Sequence, residues 1–275
     1  YDISEKTDKS MGSRPPAPSP SSEPLLEQLL AWKRWCKCSE RAGANTIERA
    51  RGSAQDPTAA TRLWSDDVVA PLASGAIALL DAAFLRELAH RALPLPPRQR
   101  VPESGFVSLD VLRAQGPDPT GGLPIVCVSH PWLTPEHPDP LGHNLRLVAR
   151  ALSPLVRGGD ASDGAPPRRV GVFWDFCSLY AWVPGYVQRL EYEEALYREG
   201  VHAMGAFFAH ARTTVFLCTA LPPAYPAGYS RAYGPPANTA PYAERGWCAA
   251  EQAMARLLKS NLRVLDLDAL PATGS

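Results

Sequence analysis

The stretch Leu123–Ser129, LPIVCVS in one-letter code, decides the fold class of this chain. It is a nearly continuous apolar run that ends on a serine, which is the pattern of a strand buried on both faces of a parallel sheet. Three further strand-like runs follow it, at Arg169–Trp174, Thr213–Cys218 and Leu262–Leu267. The sequence therefore predicts four strands in the C-terminal part of the chain.

Helical patterns separate the four predicted strands. Apolar residues recur at helical spacing near residues 142–156, 191–210 and 245–259. Strands that alternate with helices form a parallel sheet covered by helices on both faces. We therefore expect an α/β fold with a doubly wound parallel sheet, formed by residues 101–275.

The N-terminal part of the chain has a different composition. Residues 1–22 are polar and rich in proline and serine, so we predict a disordered tail or a linker remnant outside the fold. Residues 23–100 carry apolar side chains at helical spacing, and Pro71 is expected to split the helical stretch 58–93 in two. This pattern predicts a helical extension whose apolar face docks on another surface.

Composition excludes several classes of function. The chain has 275 residues, and its 28 Lys and Arg balance its 28 Asp and Glu, which argues against a dedicated nucleic-acid binder. No apolar run reaches about 18 residues, so no membrane span is predicted. The six cysteines lack the spacing of a metal site, and the N-terminal residues lack the pattern of a signal peptide. We therefore expect reduced thiols and a cytoplasmic location.

Polar side chains follow the first two predicted strands directly. Ser129, His130 and Trp132 end the first strand, and Asp175 ends the second, ahead of an aromatic loop that includes Trp182. In doubly wound sheets, ligands bind beyond the carboxyl ends of the strands, where the strand order reverses. These residues are therefore candidates to line a binding site.

The segment Tyr242–Glu251, YAERGWCAAE, brings a third group of candidates to the same edge. Trp247 and Glu251 are four residues apart, so they share one face of the predicted helix. An aromatic ring beside a lone carboxylate can hold a ribose by its hydroxyl groups. The same spacing also fits a core tryptophan beside a solvated glutamate, and the pattern alone leaves both interpretations open.

Other chemistries have weaker support in the sequence. The phosphate-binding motifs G-x-x-x-x-G-K-[ST] and G-x-G-x-x-G are absent, and so is the nucleophile motif G-x-S-x-G. Cys127 and Cys177 lie in or beside apolar runs, where thiols are buried and inert.

A metal site is not predicted either. The candidate metal ligands all come from one proline-rich loop, and they are not spaced to share one face of a helix. Asp139 before Pro140 is typical of a turn. The residues in question are Glu136, His137, Asp139 and His143.

The order of these motifs resembles that of a Toll/interleukin-1 receptor (TIR) domain over about residues 122–268. Phe173–Leu179 matches the form F-x-D-x-x-x-L at the end of the second strand, and Trp247–Glu251 matches W-C-x-x-E at a helix start. The chain is also similar to a poorly characterised protist and algal family with the motifs SxxWLTPxHPDP and GVFWD, here Ser129–Pro140 and Gly171–Asp175.

The resemblance implies a flavodoxin-like sheet and an NAD⁺ glycohydrolase, for which NAD⁺ is the substrate and no cofactor is needed. Glu251 would be the catalytic residue, because TIR enzymes use the glutamate of this motif to stabilise an oxocarbenium-like transition state. The implied substrate-binding residues are Ser129, His130, Trp132, Asp175, Trp182 and Trp247.

Two further readings stay open at the level of sequence. Many TIR domains are non-catalytic interaction modules, in which the aromatic residues would form packing and partner surfaces. The chain could also be a structural subunit of a larger protist or algal assembly, docked through its N-terminal helices. Partners are accordingly expected to be NAD⁺ or a related nucleotide, and either a second copy of the chain or a larger protein assembly.

Overall fold

The computed structural model describes residues 63–118, 121–157, 167–223, 225–229 and 237–269. The predicted tail, 1–22, and the first part of the predicted helical extension lie outside the described residues. No helix in these described ranges has both the length and the apolar character needed to cross a bilayer.

Helices and strands alternate along the described residues. The strands are β1 Leu80–Asp81, β2 Ile125–Ser129, β3 Gly171–Phe173, β4 Thr214–Leu217 and β5 Val264–Asp266. The helices are α1 Asp66–Ala73, α2 Ala82–His90, α3 Leu109–Ala114, α4 His143–Arg157, α5 Asp175–Ser178, α6 Glu191–Ala209 and α7 Gly246–Leu258. The four strands and three helices predicted for the C-terminal part are thereby confirmed, with ends shifted by a few residues.

The five strands form one sheet in the order β1-β3-β2-β4-β5. Strands β2 to β5 are parallel, and Ser129 at the end of β2 lies opposite Leu217 at the end of β4. The chain moves from β2 outward to β3 and then returns to the other side of β2, so the order reverses between β2 and β4. This is the doubly wound topology in which ligands bind beside the carboxyl ends of the central strands.

Two hydrophobic cores lie on opposite faces of the sheet. Val126 and Val128 of β2 face a core that includes side chains of α2 and α4. Ile125 and Cys127 face a second core that includes side chains of α1, α6 and α7. Because side chains alternate along a strand, Ser129 points to the same face as Cys127, towards α7.

The structure places the domain boundary differently from the prediction. Pro57–Ser275 forms one compact unit, so the described part of the predicted extension belongs with the sheet. Strand β1 pairs antiparallel with β3 and adds an edge to the otherwise parallel sheet. The amide of Ala82 donates to the carbonyl of Val170 at 2.9 Å, which ties the start of α2 to β3. The segment completes the fold instead of extending it.

Local chemistry explains why this segment was predicted as helix alone. Its leucines keep a helical spacing, and a strand of two residues is too short to show alternation. The break comes at Gly75, whose φ of +78° suits glycine, whereas Pro71 lies inside α1 and does not split it there. Asp81 then starts α2 by accepting a hydrogen bond from the amide of Ala83 at 2.7 Å.

Candidate functional site at the carboxyl edge of the sheet

Helix α7 presents Glu251 to the sheet and not to solvent. Its buried residues are Cys248, Glu251 and Ala255, which recur at the three- and four-residue spacing of one helix face. The apolar pair packs in the core beneath α6 and α7, and Glu251 is only 7% exposed. The interpretation of Glu251 as a solvated carboxylate is therefore wrong.

A hydrogen-bonded triad joins Glu251 to the central strand. The Oγ of Ser129 donates to Oε2 of Glu251 at 2.5 Å. The same Oγ lies 2.6 Å from the hydroxyl of Tyr242, which precedes α7 in a short 3₁₀ turn. Ser129 is fully buried and Tyr242 is 4% exposed. The three side chains thus meet at the carboxyl end of β2, next to the point where the strand order reverses.

Burial controls the ionisation of this triad. Loss of water raises the pKa of Glu251 well above its usual value; the hydrogen bond from Ser129 opposes this effect, and the negative charge of Asp175 adds to it. Burial likewise raises the pKa of Tyr242, against the hydrogen bond with Ser129. With no ligand bound, the triad therefore favours a protonated Glu251 over a wider pH range than an exposed glutamate would.

His130 lies in a second cluster, at the ends of β2 and β3. Its Nε2 accepts a hydrogen bond from the indole Nε1 of Trp174 at 2.6 Å, because an indole nitrogen can only donate. The Nε2 also lies 3.4 Å from Oδ1 of Asp175. His130 is 5% exposed, so its ring supports neighbouring side chains and does not face open solvent.

Asp175 holds the ring of Trp132. The indole Nε1 of Trp132 donates to Oδ2 of Asp175 at 2.7 Å, and the amide of Phe176 donates to Oδ1 at 2.7 Å. Burial alone would raise the pKa of Asp175, but hydrogen bonds to its carboxylate, among them those from Trp132 and Phe176, outweigh it and lower the pKa. Asp175 is therefore an ionised acceptor that holds the indole of Trp132 in place. Trp132 has 36% of its surface exposed.

Arg245 connects the two clusters. It is the N-cap residue of α7, and its guanidinium donates to three backbone carbonyls. Nη1 reaches the carbonyl of Trp132 at 2.7 Å, Nε reaches Ala240 at 2.9 Å, and Nη2 bonds to Asn238. The arginine thus ties the loop after β2 to the start of the helix that carries Glu251.

The other two predicted tryptophans are Trp247, at the start of α7, and Trp182, in the loop after α5. Trp247 is half-buried and packs against the core beneath α6 and α7. Trp182 is half-buried in the loop where Val183 and Val187 form an isolated bridge, and no described contact joins its ring to Glu251. The structure therefore brings together Ser129 with Glu251, and His130 with Trp132 through Asp175.

Polar groups of the loop considered for a metal bond to backbone groups of the loop itself and of neighbouring segments. In His137, Nδ1 accepts from the amide of Asp139 at 3.0 Å, and Nε2 bonds to the carbonyl of Leu95 at 2.9 Å. Oδ2 of Asp139 accepts from the amide of Leu145 at 2.7 Å and so caps α4. The described residues contain no group of His, Cys, Asp and Glu side chains suited to a metal.

The cysteines within the described ranges are free and buried. Burial raises the pKa of Cys127 and of Cys248 to about 12, so both remain thiols at neutral pH. Cys177 and Cys218 are buried in the same way, whereas Cys36 and Cys38 lie outside the described residues. The predicted burial of Cys127 and Cys177 is confirmed.

Three residues of the site were not predicted from the sequence: Tyr242, Arg245 and Trp174. Tyr242 and Arg245 belong to the segment that drew attention to Glu251, but side-chain bonds across the fold leave no spacing signal along the chain. Trp174 ends the second apolar run and could be read only as a core residue.

Two clefts lie elsewhere on the described surface. One, of about 200 Å³, lies between the end of α2 and the start of α4, and the other, of about 330 Å³, lies beside β5. Glu251 lines neither of these two clefts, and only 7% of its surface is exposed. No family model, no curated protein and no solved structure matches this chain.

Proposed function

We propose that this chain hydrolyses the bond between nicotinamide and ribose in NAD⁺, with Glu251 as the acidic residue at the ribose. The observation that carries the proposal is the meeting of Glu251 with Ser129, through a 2.5 Å hydrogen bond, at the carboxyl end of β2. This position lies next to the reversal of strand order, where doubly wound folds bind nucleotides. A carboxyl group on the ligand edge of the central strand is the part that such a reaction requires.

The chemistry asks for charge stabilisation at the sugar. The C1′–N bond breaks with both electrons leaving on nicotinamide, and positive charge spreads over the anomeric carbon and the ring oxygen. Water then adds to the anomeric carbon and loses a proton. A preorganised carboxylate stabilises this charge and can hold the ribose hydroxyls, as carboxylates do in glycoside hydrolysis.

Glu251 has to be ionised for this role, although burial favours its protonated form in the empty site. The nicotinamide ring of NAD⁺ carries a positive charge, and a nearby positive charge favours a carboxylate. Substrate binding would therefore release the proton of Glu251. The complex would then hold the ionised, reactive form of Glu251 over a wider pH range than the empty site does.

Trp132 supports the proposal from the other cluster. Its indole is fixed by Asp175 at 2.7 Å and by an edge contact with Phe176, 5.7 Å between ring centroids. A partly exposed, immobilised aromatic ring is suited to stacking on a flat heterocycle such as nicotinamide or adenine. The role proposed for His130 is to support this cluster, because the indole of Trp174 already occupies its Nε2.

Access to Glu251 requires the site to open. With 7% of its surface exposed, Glu251 cannot receive a ribose until its neighbours move. Turnover would then depend on an opening step, as it does in many enzymes that close around their substrates.

The same burial favours a second candidate, a non-catalytic TIR-like interaction module or a structural subunit of a larger assembly. In that case the triad of Ser129, Tyr242 and Glu251 would be a satisfied polar core, and Trp247 a packing residue. The partner surface would lie beside the loop after β3, where Tyr186, Leu190 and Tyr192 are each more than half exposed.

Incubation with NAD⁺ and chromatography of the products separates the two candidates. We expect nicotinamide release by the wild-type chain and a loss of at least about 100-fold in Glu251→Gln, the scale of removing a preorganised charge-stabilising group. Glu244→Gln is the matched control, because Glu244 is exposed in the turn before α7 and should not change the rate. Equal rates for Glu251→Gln and wild type would remove the assigned role. No release by wild type would favour the interaction module.

A further inference from the structure

We infer that Tyr242 is a positioning residue of the proposed site, which acts on Glu251 through the hydroxyl of Ser129. The inference rests on the proposed function for its catalytic consequence, but its structural part can be tested without NAD⁺. Ser129 has one hydroxyl hydrogen and two close oxygen neighbours, at 2.5 Å in Glu251 and 2.6 Å in Tyr242.

When Glu251 is ionised, only one arrangement satisfies all three groups. A carboxylate can only accept hydrogen bonds, so Ser129 must donate its single hydrogen to Glu251. The Oγ of Ser129 is then an acceptor towards Tyr242, whose hydroxyl must donate to it. Tyr242 thereby holds the serine hydrogen on the carboxylate and polarises that bond, because linked hydrogen bonds strengthen one another.

The surroundings of the triad make this relay effective. Ser129 and Tyr242 are almost completely buried, so water does not compete for their hydrogen bonds. Glu251 interacts with titratable groups on several elements. These are Asp175 of α5, Tyr242 of the turn before α7, Cys127 of β2 and, on α7 itself, Cys248. None of them carries a positive charge, and Arg245 donates to backbone carbonyls.

The backbone fixes Tyr242 relative to Glu251. Pro241 precedes it, with its φ of −58° set by the proline ring. The amide of Arg245 donates to the carbonyl of Tyr242 at 3.2 Å, and α7 begins at the next residue, Gly246. The phenol and the carboxyl therefore belong to one continuous segment and keep a defined separation.

Tyr242→Phe tests the inference, because it removes one oxygen and keeps the ring. With the relay broken, the ionised form of Glu251 loses support, and we expect kcat for NAD⁺ to fall about tenfold with KM changed less than about twofold. The acid limb of kcat/KM should move to higher pH. Tyr229→Phe, in the described stretch 225–229, is the matched control and should change neither.

A second readout does not depend on catalysis. The side-chain carboxyl resonance of Glu251, followed by ¹³C NMR against pH without NAD⁺, should titrate at higher pH in Tyr242→Phe than in wild type. In a Ser129→Ala background the same change should add nothing, because the relay is already cut. Site-specific 3-fluorotyrosine at position 242, a stronger donor that preserves the packing, should move the midpoint to lower pH.

The outcomes separate the two claims. An unchanged Glu251 midpoint in both Tyr242→Phe and the fluorotyrosine protein would overturn the inference, even if the wild type cleaves NAD⁺. Shifts in the two expected directions without any NAD⁺ cleavage would support the relay and reject the proposed function. If Tyr242→Phe does not fold, the fluorotyrosine result decides alone.

Discussion

At the scale of the residue, Glu251 shows how position changes the chemistry of a side chain. On sequence spacing it is a polar residue beside Trp247 on a helix. In the fold it belongs with Cys248 and Ala255 to the face that packs on the sheet. The candidate could be found from the sequence because the W-C-x-x-E segment follows a strand-like run. Its partners could not, because Ser129 is distant in the chain and Tyr242, although it belongs to the same segment, connects to Glu251 only through Ser129.

The raised pKa of Glu251 predicts how stability depends on pH. The folded state holds this proton more tightly than the unfolded chain, where the pKa is near 4.5. The contribution to stability is complete below that value and is lost as pH rises through the higher folded pKa. As pH rises from about 4.5 to the folded pKa of Glu251, the free energy of unfolding of wild type should fall relative to that of Glu251→Gln. The decrease should be at most about 1.4 kcal/mol per pH unit.

Urea denaturation of the two proteins at a series of pH values measures this difference. Other titrating groups are common to both proteins and cancel in the comparison. Stability curves that stay parallel from acid to neutral pH would show that the folded carboxyl titrates normally, and the account of a desolvated Glu251 would be wrong.

At the scale of the element, long apolar runs predicted the strands and helices of the C-terminal part because burial on both faces leaves a strong local pattern. Strand β1 left none, since its two residues pair with β3 only after the sheet exists. The packing distance between a helix and its neighbour also leaves no pattern in the sequence, because a single glycine can determine how closely the two backbones approach.

Gly200 of α6 sets such an approach. A Cβ at this position would lie 2.7 Å from the carbonyl oxygen of Ala76 and 2.6 Å from Cδ2 of Leu179. Gly200→Ala should therefore destabilise the fold by about 1–3 kcal/mol, as overpacking does. Gly205→Ala in the same helix would meet only Met254, at 3.5 Å, and should be neutral or stabilising by up to about 1 kcal/mol.

Thermal or urea denaturation of both glycine variants provides the measurement. Because the two sites share one helix, the helix propensity gained by alanine is the same, and the difference between the variants reports the contact with Ala76. Equal stability of the two variants would contradict the close approach of α6 to the segment after α1.

At the scale of the whole molecule, the described segment before residue 101 contributes an edge strand and core side chains to the sheet. Leu80, Leu85 and Leu88 are buried in the same core as Val126 and Val172. The sequence analysis placed these leucines on the apolar face of a separate helical extension, because periodicity does not show which surface a helix covers. Their removal would expose the edge of β3 and one face of the sheet.

Two truncations test this organisation. A chain of residues 57–275 should unfold in one cooperative transition, because these residues form one compact unit. A chain of residues 101–275 should lack that transition and bind hydrophobic dyes, since the core side chains of β1 and α2 are gone. Cooperative unfolding of the shorter chain would restore the predicted boundary at residue 100. Circular dichroism during a thermal ramp is sufficient to distinguish the two results.

The central claim concerns one carboxyl group at the ligand edge of the sheet, and its most direct measurement is the rate of nicotinamide release from NAD⁺ as a function of pH. The account predicts that kcat/KM of the wild-type chain rises with pH, with a midpoint above the usual 4.5 of a glutamate, and that Glu251→Gln shows no such rise. Absence of release at every pH, or a profile shared by wild type and Glu251→Gln, would contradict it.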